Sequence, residues 1–157
     1  MSKVIIGVDL GGTFVKTAVV STEKKIIVKD SRPSNAEGGP KAVMDTMEDA
    51  VRDLLAANGL TMDNVLAAGF GAPGPMNWQT GIVFSPPNLP GWKDVPLAAE
   101  MTKRLGVPCY VDNDANVAAL ALRHAHVGVH AEVRPLFGVG RIVGQVFGRD
   151  DLVGVDV

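Results

Sequence analysis

At 157 residues, with 46% apolar and 20% charged side chains, the chain has the length of one ordinary domain and the composition of a globular one. A formal net charge of −2 excludes a general pull toward nucleic acid or an anionic membrane, and the single cysteine, Cys109, excludes an internal disulfide framework and favours a reducing, cytoplasmic setting. Met1-Ser2-Lys3 runs straight into a strand-like segment, so no leader is expected, and no apolar stretch approaches the roughly 20 residues that a bilayer span requires.

Val4-Ile5-Ile6-Gly7-Val8 predicts a first strand over 3–9 that ends on the carboxylate of Asp9. Gly11 and Gly12 then let the backbone turn tightly and bring N–H groups close to an anion with no Cβ in the way. Thr13 adds a hydroxyl donor, Lys16 a positive charge, and Asp9 can hold a hydrated Mg²⁺. Asp9-Leu10-Gly11-Gly12-Thr13-Phe14-Val15-Lys16 therefore fits a phosphate-handling loop with a metal at its edge. An ordinary hairpin turn fits the same glycines, and the Walker and dinucleotide spacings are both absent, so this segment leaves the two readings open.

Val15–Ser21 and Lys24–Ser31 predict an antiparallel hairpin across the short polar turn 21–24. Pro33 to Pro40 is punctuated as a loop, and Val43, Met47, Ala50, Val51, Leu54 and Leu55 then recur at three- and four-residue steps, which is an amphipathic helix stopped by Asn58-Gly59. Val65–Phe70 reads as a buried strand leading into Gly71-Ala72-Pro73-Gly74, a rigid turn that presents backbone groups. Between Ser85 and Trp92 the prolines stiffen a loop in which Asn88 is a candidate substrate contact and Trp92 a packing residue. A second helix is expected over Val95–Leu105 with Pro96 in its first turn and Gly106 at its end, then a strand over Val107–Val111 and an alanine-rich helix from Asp112 to about Leu122. The order βββαβαβα predicts an α/β domain, a mixed sheet with helices on its faces.

Asp112-Asn113-Asp114-Ala115-Asn116 follows a strand and opens that last helix, where α/β proteins place ligands. One helix cap needs one such residue, and four of these five are Asp or Asn. The surplus suits a small polyol, with Asp114 as the base that takes a proton from a hydroxyl and Asn113 bonded to a neighbouring hydroxyl.

The vocabulary of the chain changes after this point. From Ala121 to Val157 there is no Lys, Ser, Thr or Asn, while all three histidines and four of the seven arginines fall there. Residues 122–157 are accordingly expected to be an atypical tail, out-of-frame translation of GC-rich DNA or a degenerate end; a strand-rich terminus with ordinary bias is the milder alternative. His124, His126 and His130 have no cysteine partners and are not read as a zinc site.

D-L-G-G-T-F-V-K (9–16), G-A-P-G (71–74), N-L-P-G-W (88–92) and D-N-D-A-N (112–116) come in the order and rough spacing of the ROK family, and the chain resembles those sugar kinases and related repressors over residues 1–121. The resemblance implies the actin-like ATPase (ribonuclease H-like) fold, with 1–121 as its N-terminal lobe, and ATP-dependent phosphorylation of a hexose, glucose first, with Mg²⁺. It puts Gly11, Gly12, Thr13 and Lys16 at nucleotide phosphate, Asp114 as the catalytic base, and Asn113, Asn88 and Gly74 toward the sugar, with a homo-oligomer possible and no nucleic acid or membrane as partner. Departures accompany it: Leu122 stands where a glutamate is looked for, and the G-T-G-x-G-x-G loop, the Glu and His residues of the sugar site, the cysteine-rich zinc motif and a second lobe do not follow. The chain by itself is thus expected to be inactive. The alternatives are a non-catalytic sugar-binding piece or a sugar-sensing repressor without its DNA-binding part, for which no room is seen before Asp9.

Overall fold

The computed structural model describes residues 2–113. Its main sheet has five strands. β1 (Val4–Leu10), β2 (Phe14–Ser21) and β3 (Ile26–Pro33) form an antiparallel meander, and β4 (Val65–Ala72) and β8 (Cys109–Asn113) extend it in parallel on the far side of β1, in the order β3-β2-β1-β4-β8. The β-branched residues of β1 suit a strand closed in on both faces: Val4, Ile5, Ile6 and Val8 are all at most 2% exposed.

Both described α-helices pack on one face. α1 (Gly39–Ala57) buries Val43, Met44, Met47, Ala50, Val51, Leu54 and Leu55 at helical spacing, and α2 (Leu97–Leu105) buries Leu97, Met101 and Leu105. Apart from Ala50, these side chains join Val4, Ile6, Val8 and Leu10 of β1, Phe70 of β4 and Val111 of β8 in a single core. Ile5 and Ala67 belong to a smaller cluster with Leu66 and Tyr110. Arg104 of α2 ties the helices together, its Nη1 reaching Asp45 at 2.8 Å and Glu48 at 3.2 Å. Hydrogen bonds from Lys41 and Arg104 hold the Asp45 carboxyl below its ordinary range. No described helix is long and apolar enough to cross a membrane.

Several boundaries differ from the sequence reading. α1 starts at Gly39, inside the expected 33–40 loop, because Pro40 sits in the first turn where its missing N–H costs nothing. The second helix starts at Leu97 rather than Val95: Val95 and Pro96 instead form β7, which pairs with β6 (Ile82–Val83), itself paired with β5 (Met76–Asn77). Two-residue strands are too short for alternation to be legible. Asp112 and Asn113 belong to strand β8, not to a helix. The rest of that expected helix, Asp114 to Leu122, and the tail 122–157 lie outside the described residues.

Two consequences can be measured. Met47 is fully buried beneath the sheet, so Met47→Ala should cost about 2–5 kcal/mol in urea unfolding. Burial pushes the Cys109 thiol up to about 12, against the lowering effect of a hydrogen bond from Thr102. A raised thiol pKa keeps more protons on the folded than on the unfolded chain between pH 9 and about 12. The folded state should therefore lose stability across that window relative to Cys109→Ala, by up to ~1.4 kcal/mol per pH unit. Parallel stability curves of the two proteins from pH 8 to 11 would show the thiol to be ordinary.

Candidate functional site

The parallel strands β1, β4 and β8 all end at the same edge of the sheet, and their registers align what the sequence spreads over a hundred residues. Asp9 pairs with Gly71 and Gly71 with Asp112, while on the other side Asp9 pairs with Lys16 of β2. Lys16, Asp9, Gly71 and Asp112 thus form one row across four strands. Strands in a sheet lie about 4.8 Å apart, which puts the Asp9 and Asp112 backbones about 10 Å from each other across a glycine. Asp9, Lys16 and Asp112 are each half-buried. Opposite charges facing across an antiparallel pair favour this pairing, and Gly71 leaves the floor between the two carboxylates without a side chain.

Beyond the row the chain turns. Gly11 N–H donates to Phe14 O at 2.9 Å, so Gly12 and Thr13 form the two-residue tip of the β1–β2 hairpin. The hairpin reading of the glycine pair is therefore right as to geometry, and it spends the Gly11 amide within the turn. The N–H groups of Gly12 and Thr13 donate to no acceptor among the described residues. Thr13 is exposed at the tip.

Gly12 lacks a positive φ and is glycine for another reason. A Cβ there would lie 2.8 Å from Asn88 O and 3.0 Å from Asn88 Cβ. The 85–92 loop is thus seated on the hairpin tip, and Asn88 meets the candidate phosphate turn. Trp92 and Leu89, 3% and 2% exposed, anchor that loop in the core, as expected for Trp92. Gly74, two residues past β4, is half-buried and joined to Pro75 by a cis peptide bond.

Of the residues singled out from the sequence, Asp9, Gly11, Gly12, Thr13, Lys16, Gly74 and Asn88 all lie at or beyond this edge of the sheet. Asn113 ends β8 there, paired with Ala72. Asp114, the next residue, lies outside the described residues, as do the three histidines. Two contributors were missed. Asp112 passed as part of a capping cluster, although its place on a strand makes it face the way Asp9 does. Ser34 lay in a segment read only as loop, and its contacts with Gly12 and Thr13, about 20 residues away, leave no local trace. No group of three or more His, Cys, Asp or Glu that could hold a metal occurs among the described residues. A single half-buried carboxylate such as Asp9 is compatible with Mg²⁺ held mostly by water and phosphate, since that ion keeps much of its hydration shell.

The chain matches the ROK family over residues 5–144. It is 33% identical over 139 residues to a glucokinase of Halalkalibacterium halodurans, across 88% of this chain and 42% of that protein. It is also 27% identical over 116 residues to a xylose repressor of Caldicellulosiruptor bescii, across 74% of this chain and 29% of the repressor. Among solved structures, a ROK family glucokinase from Streptomyces griseus in complex with glucose and AMPPNP superposes with a TM-score of 0.61 at 32% identity, over 72% of this chain and 34% of that one. The mixed α/β architecture is that of its structural neighbours, ROK sugar kinases of the actin-like ATPase fold. The chain spans well under half the length of these relatives.

The seating of Asn88 on Gly12 makes a specific demand on sequence. Gly12→Ala should force the Asn88 backbone outward, costing about 1–3 kcal/mol in urea unfolding and displacing the amide resonances of residues 87–89. Unmoved resonances there would separate the two segments.

Proposed function

The chain belongs to the ROK family, and from that premise we propose that residues 1–121 are the N-terminal lobe of a cytoplasmic, ATP-dependent hexose kinase, glucose first among its substrates. One observation supports this reading above the others: the hairpin tip, whose Gly12 and Thr13 amides have no acceptor among the described residues, the Asn88 loop, the Gly71–Gly74 segment and the end of β8 all meet at one edge of the sheet. A phosphate donor and a hydroxyl acceptor need to be held side by side, and this edge supplies groups suited to each.

In this reading the amides of Gly12 and Thr13, the Thr13 hydroxyl and the Lys16 ammonium bind phosphate oxygens. Asn88, Asn113 and the backbone at Gly74 bind sugar hydroxyls. Asp114 accepts the proton of the attacking hydroxyl, so that the sugar oxygen can form its bond to the γ-phosphorus as the bond to ADP breaks. Asp9 would hold a Mg²⁺ through water, an ion whose chemistry here is to neutralise phosphate charge. Most of the acceleration in phosphoryl transfer comes from positioning and charge, so a lobe that holds only part of donor and acceptor offers little by itself. The residues from 122 on are proposed to be a tail that does not supply the second phosphate loop.

A second reading shares the sugar end and lacks the chemistry. The similarity to a xylose repressor favours a sensor that binds a sugar without phosphorylating it.

A coupled ATP–glucose assay with Mg²⁺ separates the readings. The 157-residue chain is expected to turn over hexose hardly at all, and a version continued with the remaining length of a kinase relative should do so. In that longer protein Asp114→Asn should lower kcat by about 10²–10⁴-fold while glucose still binds. Undiminished turnover would take Asp114 out of the mechanism, and glucose binding without turnover by the longer protein would favour the sensor.

A further inference from the structure

The hairpin tip is held by more than its own sheet. Both carbonyl oxygens of the tip accept hydrogen bonds from one residue: Ser34 Oγ donates to Gly12 O at 2.9 Å, and Ser34 N–H donates to Thr13 O at 2.8 Å. Ser34 is 1% exposed and directly follows β3. A buried hydroxyl is costly unless it is bonded, and the bond this one donates goes to the turn.

Ser34 is in turn referred to α1. Asn35 adopts the left-handed conformation at φ 57°, which an asparagine tolerates, and its Nδ2 donates to Thr46 Oγ1 at 2.9 Å. Thr46 is 8% exposed and donates to Ala42 O at 3.0 Å within the helix. The tip is thereby tied through two consecutive residues to a 19-residue helix packed on the sheet.

The peptide linking Gly12 to Thr13 is trans, so the Thr13 N–H points opposite to the Gly12 carbonyl. With that carbonyl turned inward to Ser34, the Thr13 amide is turned outward, and it has no acceptor among the described residues. We propose that Ser34 is a positioning residue: its hydroxyl fixes the Gly12–Thr13 peptide so that the Thr13 N–H stands ready for a phosphate oxygen of the nucleotide. The proposal rests on reading the tip as a phosphate site. A donor already aimed needs no reorganisation when the anion arrives, whereas a peptide free to rotate must be ordered at the expense of binding.

The test compares ¹⁵N-labelled full chain as wild type, Ser34→Ala and Ser34→Thr, first without ligand and then titrated with MgATP and with inorganic tripolyphosphate. Without ligand, alanine should lower the order parameters of Gly12 and Thr13 from about 0.85 toward 0.6, and threonine should restore them. On titration the wild-type Gly12 and Thr13 amides should shift, alanine should weaken the apparent Kd by about 3- to 10-fold, the worth of one neutral hydrogen bond, and threonine should stay within about twofold. If the alanine variant does not fold, Ser34→Cys, a weaker donor, takes its place with the same expectations. Unchanged order parameters, or a variant lacking the hydroxyl that binds as tightly as wild type, would overturn the role of Ser34 and leave the phosphate site standing. Wild-type amides that move with neither probe would remove the phosphate site, and the role of Ser34 with it.

Discussion

The position of β1 between two differently directed neighbours is the constraint on which the candidate site depends. On one side β1 pairs antiparallel with β2, and the connection can be a two-residue tip; on the other it pairs parallel with β4, and the connection must travel through α1. The first pairing puts a sharp turn at the C-terminal end of β1. The second puts the ends of β4 and β8 beside that turn. Neither alone would make a site: an isolated hairpin tip is an ordinary turn, and an isolated parallel sheet edge lacks the tight approach of backbone amides.

Burial makes this arrangement rigid. β1 is enclosed on both faces, so a slip of one residue in its register would carry Asp9 into the core and Leu10 out of it. The same alternation explains why the polar row falls where it does. Leu10, Val15 and Ala72 face the core beneath α1 and α2, and their immediate chain neighbours Asp9, Lys16 and Gly71 must face the other way. The polar chemistry of the edge is thus the complement of the apolar packing behind it.

What could be read from the sequence follows from the range over which each signal acts. β1 to β3 were legible as apolar or β-branched runs bounded by glycines or short polar turns, with β3 lying two residues later than expected, and α1 by its three- and four-residue steps, differing only at its proline-bearing start. The strands β5, β6 and β7 were not, since two residues carry no period. Within the site, the glycines and Asn88 were found as short motifs, but the reason for Gly12 was not local. Its missing Cβ makes room for a backbone 76 residues later, a contact that no spacing rule contains. Asp112 shows the opposite error: a cluster of Asp and Asn resembles a helix cap so closely that its first member's place on a strand, in line with Asp9, went unread.

The edge therefore combines two kinds of order that do different work. The sheet register sets which side chains share a row, fixed by burial and insensitive to surface substitution. The tip, beyond the Leu10–Val15 pair that ends the ladder, takes its conformation from contacts that reach it from elsewhere: Ser34 at its carbonyls and Asn88 against its missing Cβ. Those contacts come from the segments before α1 and before α2, so both helices, through the loops that enter them, bear on the same two peptides. A turn held in this way has both its carbonyls turned to Ser34 and the Cα of Gly12 against Asn88.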